Sequence, residues 1–206
     1  VARVRSVAFH GISVQDVDVE VHIANGLLAF QIVGLPDKAV AESKERVRSA
    51  LHALGLALPP KRLTVNLAPA DLSKEGSHFD LPIALGILMA MDVVPADELE
   101  NSLVLGELSL DARLRRVHGV LPAAVHAVAN DNRLICPASC GQEAAWAGEG
   151  LDIIAPQDLL QFINHMKGTQ VLGRPSCIPL AGNGQEHKYA DLSTVRGQET
   201  AKRALE

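Results

Sequence analysis

The chain has 206 residues, 48% of them apolar and 21% charged, a composition that suits one globular domain of ordinary size plus a tail. Its formal net charge of −5 gives no global pull toward nucleic acid, and three cysteines, an odd number, argue against a disulfide framework. No apolar run approaches the roughly 18 residues of a membrane span, and the start Val1-Ala-Arg-Val-Arg5 lacks the apolar core of a signal peptide, so a cytoplasmic protein without a membrane partner is expected.

Residues 4–10 alternate toward a strand, and residues 14–23 do so cleanly: Val17, Val19, Val21 and Ile23 face one way, Asp16, Asp18, Glu20 and His22 the other. Asn25-Gly26 is the strongest short hairpin signal in the chain, which predicts that 27–33 returns as a strand beside 14–23. After Gly34-Leu35-Pro36, Asp37 can cap a helix whose apolar stripe is Val40, Val47, Leu51 and Leu54 and which Gly55 ends. Glu42 and Arg46 are ordered for an i,i+4 pair on its exposed face. Pro59-Pro60 breaks the chain and 62–67 reads as a further strand, giving the order β-β-β-α-β.

Residues 81–91 are almost wholly apolar, as in a helix buried on most sides. Ser77 to Asp80 fits a capping box, but Asp80 as the cap puts Pro82 in the first turn, where proline is tolerated, and that start is preferred. A hairpin about Asp111-Ala112 is expected to join 103–110 to 113–117, followed by a helix over 120–129 and a strand at 134–136. Ser139 with Gln142 can begin a short helix through Trp146, 151–154 makes a last strand, and Pro156 suits the start of a helix carrying Leu159, Leu160, Ile163 and Met166 on one side. Strands alternating with helices predict helices packed on a sheet. From 168 to 190 periodicity vanishes and Gly, Pro, Asn and polar residues dominate, so the expected domain is 1–167 and 168–190 a linker.

The most specific text is Asn66-Leu-Ala-Pro-Ala-Asp-Leu-Ser-Lys-Glu-Gly-Ser-His-Phe-Asp-Leu-Pro-Ile-Ala-Leu85. With Val33-Gly-Leu-Pro36, Gly106-Glu-Leu-Ser-Leu110 and Val195-Arg-Gly-Gln-Glu199, all in order, it resembles the YifB/ComM family of magnesium-chelatase-related proteins. The resemblance implies an α+β sandwich similar to the protease domain of Lon, to a ribosomal small-subunit protein and to GHMP kinases, with a left-handed βαβ crossover. It implies that 191–206, where Val195, Ala201, Ala204 and Leu205 recur near helical spacing, is the first segment of a truncated AAA+ ATPase domain. ATP and magnesium are expected in that missing domain and no cofactor in this chain. The implied partners are further copies of the protein, as a hexamer, and DNA, in branch migration during natural transformation.

The Lon pattern K-D-G-P-S-A-G places its nucleophile where this chain has His78, after Lys74-Glu-Gly76-Ser77, and the Lon base lysine falls on Leu121 of Val117-His-Gly-Val-Leu121. A serine hydroxyl needs a base to take its proton, and a leucine cannot serve. No catalytic residue is therefore expected; the rival readings are a divergent serine peptidase using Ser77 or His78 and a regulatory domain of a magnesium chelatase. His78 is expected at the surface or partly buried, and the scattered histidines predict no metal site. Cys136, Cys140 and Cys177 read as reduced thiols, and Gly182-Asn-Gly184 lacks phosphate-loop spacing. For DNA, Arg113, Arg115 and Arg116 are the candidate phosphate contacts, without an aromatic platform for base stacking; a solvated face explains Lys61 and Arg62.

Overall fold

A computed structural model describes residues 1–11 and 13–177, together with Gly197, Gln198, Thr200, Lys202 and Arg203. Most of the expected ATPase lead-in and most of the expected linker lie outside the described residues.

The strands are β1 (Ala2–His10), β2 (Ser13–Ala24), β3 (Ala29–Val33), β4 (Arg62–Ala68), β5 (Ser102–Val104), β6 (Glu107–Leu108), β7 (Leu114–Arg115), β8 (Arg133–Ile135) and β9 (Ile153–Ile154). The α-helices are α1 (Lys38–Ala53), α2 (Asp80–Ala90), α3 (Val120–Ala129), α4 (Gly141–Ala145) and α5 (Leu159–Met166). Among the described residues, seven strands form one mixed sheet in the order β3-β4-β2-β1-β5-β8-β9, and β6 pairs with β7 as a separate hairpin. The β1/β2 and β2/β4 ladders are antiparallel; β3/β4, β1/β5, β5/β8 and β8/β9 are parallel. The coarse expectation of an α+β architecture is met by this mostly parallel sheet with helices packed on it.

Alternation along β1 and β2 decides the layers. Val4, Ala8, Val17, Val19 and Val21 enter a core with the buried side chains of α1, α2 and α5, whereas Val7 packs on the other face with Ala123, Ala124 and Ala127 of α3 and Ala144 of α4. Over β2 and β4 that second face stays polar, where Arg3 meets Glu20 at 2.9 Å and Asn66 donates to Glu20 at 2.9 Å. The Asn66 hydrogen bond is the largest cause holding the Glu20 carboxyl below its usual range. Helix α2 is buried over Asp80–Leu88. Gly86 lets it approach the sheet: a Cβ there would lie 2.6 Å from Val21 Cγ2.

Several sequence expectations need correction. Strand β3 does not return beside β2 from Asn25-Gly26; β4 pairs with β2 antiparallel and takes the inner position, leaving β3 at the sheet edge, parallel to β4. A two-residue turn signal fixes only local geometry; in the fold β4 sets Val65 opposite Val21 and Leu67 opposite Val19, all four fully buried, while β3 is only partly buried at the edge. The hairpin about Asp111-Ala112 exists but is two residues long on each side, because Ser102–Val104 joins the main sheet. Asp158, not Pro156, opens the last helix, its carboxylate accepting from the Gln161 N–H at 2.7 Å; Leu159, Phe162 and Ile163 are buried and Leu160 is exposed. Asp37 caps α1 as expected, accepting from the Val40 N–H at 2.7 Å.

Candidate functional site

The distinctive text from Asn66 onward folds into one wall of a cleft of about 640 Å³, which Phe9, Asp37, Ser77, His78, Glu107 and Arg116 help to line. The wall is fixed by backbone pairing. Lys74 N–H donates to Leu35 O at 3.2 Å, and Asp37 N–H donates to Lys74 O at 2.9 Å. Gly34 permits the preceding bend: its φ is +101°, and a Cβ would fall 2.1 Å from Leu67 O. Asp37 serves twice, because its second carboxylate oxygen accepts from the Gly76 N–H at 3.3 Å.

Lys74 is solvent-inaccessible and its ammonium donates to Pro69 O. Burial lowers its pKa, and the Asp71 carboxylate opposes the shift. Gly76 has φ +94° and ψ 164°, a region glycine alone adopts with ease, and a Cβ there would sit 3.2 Å from His78 Nδ1. Ser77 to Phe79 forms a 3-10 turn that runs directly into α2.

His78 is only 6% exposed, contrary to the expected surface or half-buried placement. Its Nε2 lies 2.8 Å from Val7 O, and since a carbonyl can only accept, Nε2 carries the proton and Nδ1 is left with a lone pair. The ring lies between Phe9 and Phe79, with centroids 5.3 and 4.2 Å away. Burial pushes its pKa below the usual histidine value, the Val7 hydrogen bond acting the other way. Ser77 does not pair with His78; its hydroxyl donates to the Glu107 carboxylate.

Asp80 is the largest departure from the sequence reading. It is the first residue of α2 rather than its cap, fully buried, and it takes Arg46 Nε at 2.6 Å and Nη2 at 2.9 Å in a two-pronged ion pair. Arg46 also donates to Ala39 O at 2.8 Å, while Glu42, its expected surface partner, stands 4.0 Å away. The Leu108 N–H donates to Asp80 at 3.1 Å, so one carboxylate joins α1, α2 and β6. Burial pushes Asp80 upward against Arg46, Ser43 and the Leu108 N–H, and Asp80 holds the Arg46 guanidinium protonated. Gly106 N–H to His78 O and Leu81 N–H to Gly106 O, both 2.9 Å, lace Glu107 into the wall beside Ser77.

The three candidate arginines are all exposed and differ in what holds them. Arg116 lines the cleft and is held by Glu143 at 2.5 Å and Ser139 O at 3.3 Å; Arg113 pairs with Asp111 at 3.3 Å. Arg115 is exposed and has no ion pair among the described residues. Leu121, in the first turn of α3, is half-buried. Among the described residues no group of three or more His, Cys, Asp or Glu could hold a metal, and no helix is long and apolar enough to cross a membrane. Cys136, Cys140 and Cys177 are free; burial raises the first two thiols, and Cys177 is exposed.

Fold and cleft together define a mixed-sheet α+β domain with a polar cleft between the Asp37 cap of α1, the segment 73–78 that leads into α2, Glu107 of β6 and the 116–119 entry to α3. Residues 19–140 match the family described as subunit ChlI of Mg-chelatase. The chain is 41% identical to the competence protein ComM of Haemophilus influenzae over 99% of its length, and 39% identical to the uncharacterised protein YifB of Escherichia coli over 95%. An uncharacterised Mycobacterium tuberculosis protein is 40% identical over 99%. The chain belongs to this magnesium-chelatase-related YifB/ComM family. It spans about two fifths of the length of these relatives, 40% of ComM and 38% of YifB.

Proposed function

We propose that this chain is the non-catalytic N-terminal domain of a ComM-like AAA+ motor, a hexamer that drives branch migration of DNA in the cytoplasm during natural transformation and recombination. The observation that carries the reading is the 41% identity to competence protein ComM across 99% of the chain. The ATP and magnesium chemistry belongs to the remaining three fifths of such a protein, to which 191–206 is the lead-in and 168–190 the linker. The β3–α1–β4 unit, two adjacent parallel strands joined through a helix, is where the Lon-like fold would carry its left-handed crossover.

Loss of catalysis is supported by chemistry. The position of the Lon base lysine holds the hydrocarbon Leu121, and His78 stands where the Lon serine would, its Nε2 committed to Val7 O. One contact favours a second reading, a divergent serine peptidase: the Ser77 hydroxyl donates to Glu107, a carboxylate able to accept its proton. A fluorophosphonate probe separates the two, because labelling that is lost in Ser77→Ala supports the peptidase and no labelling supports the accessory domain. The family description also keeps open a regulatory role in magnesium chelation, which ATP-dependent metal insertion into a porphyrin by the full-length protein would support. The leading reading requires the full-length protein to hydrolyse ATP faster with branched DNA; an unstimulated protein would refute it.

A further inference from the structure

A second groove, of about 640 Å³, lies away from the cleft, between α1 and the edge strand β3. Its floor is apolar, with Leu28, Phe30, Leu56, Leu58 and Leu63 among the lining residues. Its rim is basic: Lys44, Arg48 and His52 stand at i, i+4 and i+8 on one stripe of α1, and Lys61 joins the lining from the start of the β4 segment. The single carboxylate in the lining, Glu45, is 3.4 Å from Arg48, and Lys44 and Lys61 have no ion pair among the described residues. In a chain of net charge −5 this is a local reversal of sign.

The strand beside the groove is open. Among the described residues β3 pairs only with β4, so its outer edge presents unpaired backbone groups. Its sequence, Ala29-Phe-Gln-Ile-Val33, holds no charge, no proline and no bulge, the devices by which edge strands usually prevent further pairing. Leu27 and Leu28, leading into it, are 92% and 73% exposed.

We propose that the β3 edge and the α1/β3 groove form a docking site for an extended acidic and apolar peptide segment of a partner protein, which adds a strand to β3, seats alternate apolar side chains on Phe30 and Leu28, and sets its carboxylates against Lys44, Arg48 and Lys61. Strand addition supplies backbone hydrogen bonds and the pockets supply selectivity. Charge complementarity selects this occupant. A symmetric interface between two copies through this edge would bring together two basic rims of the same sign and no acidic complement, which opposes association. A nucleic acid would satisfy the rim but leave the apolar floor and the strand edge unused.

The test uses the full chain and two fluorescein-labelled, end-capped heptapeptides, one alternating valine with glutamate and one alternating valine with lysine. The glutamate peptide should bind by anisotropy at least about tenfold more tightly than the lysine peptide, and Lys44→Glu with Lys61→Glu should reverse that order. Leu28→Asp should weaken the glutamate peptide. Hydrogen exchange on the unaltered chain provides a readout independent of any variant: amides of Ala29–Val33 should gain protection when the glutamate peptide is added. Equal binding of both peptides, a preference untouched by the charge reversal, or no added protection on β3 would overturn the proposal. So would a groove variant that abolished self-association or binding of a single-stranded oligonucleotide while leaving the glutamate peptide bound.

Discussion

Removing the Asp80 carboxylate tests whether the cleft is held by the ion pair to Arg46. In Asp80→Ala the guanidinium, 22% exposed, loses both of its carboxylate bonds, and the buried Leu108 N–H loses its acceptor. Breaking a buried pair from one side costs about 3–5 kcal/mol, and the partial exposure of Arg46 argues for the lower end, about 3 kcal/mol. At roughly 2–4 °C per kcal/mol for a domain of this size, the melting midpoint should fall by about 6–12 °C. Urea denaturation gives the free energy, scanning calorimetry the midpoint. The double variant Arg46→Met with Asp80→Leu removes both charges and should recover much of the loss, since apolar pairs often replace buried ion pairs without penalty. A fall below about 1 kcal/mol in Asp80→Ala, the level of an exposed pair, would refute the argument that this carboxylate organises the wall.

His78 should make stability fall on acidification. Its pKa is depressed in the fold, so its contribution is fully present above the ordinary value of about 6.5 and is lost as pH drops from there through the lower folded value, at no more than about 1.4 kcal/mol per pH unit. Asp80, raised in the fold, acts in the opposite sense, so the check is a comparison of urea midpoints between the unaltered chain and His78→Gln; parallel profiles would exclude His78 as the source. Gly34→Ala should cost more than the roughly 1–2 kcal/mol of a left-handed alanine, because its Cβ would overlap Leu67 O, whereas Gly11→Ala, with nothing within 4 Å, should cost only that amount; equal midpoints would contradict the close approach. If the hairpin arginines contact DNA in the full-length protein, Arg115→Ala should lower the salt slope by about one, and Arg113→Ala and Arg116→Ala by less, because those two already hold Asp111 and Glu143; an unchanged slope in all three makes them a solvated face.

The sequence was most legible where structure is local and periodic. Helix α3 starts and ends at the expected residues, Asp37 caps α1, and the alternation of β2 separates a buried valine row from a polar one. It was least legible where pairing is between distant segments. Nothing near Asn25-Gly26 shows that a strand some forty residues later takes the place beside β2, because that pairing joins segments distant in the sequence, with Val65 and Leu67 of β4 buried opposite Val21 and Val19. The exposed Leu27 and Leu28, and the open edge behind the second groove, follow from that pairing and were unreadable for the same reason.

The cleft was legible as text and not as chemistry. Ser73 and Glu75 to His78, within the stretch from Asn66 to Leu85, do line it, yet Asp80 resembled a cap and Arg46 a surface ion-pair member, because the spacing that suggested each role was local while their actual partnership crosses 34 residues. One signal was available: an aspartate beside the almost wholly apolar run 81–91 must be buried with it, and a buried carboxylate requires a cation and a donor. The polar groups around the cleft are largely committed to the protein's own backbone, Lys74 to Pro69 O, His78 to Val7 O, and Asp37 to the Val40 and Gly76 N–H groups. Lysine and histidine so committed are poorly placed to move a substrate's protons, since each would first have to abandon a buried carbonyl. That favours a wall kept for its shape. Two serine hydroxyls of the cleft lining do meet carboxylates, Ser77 at Glu107 and Ser73 at Glu75, and those contacts are what the serine probe has to decide.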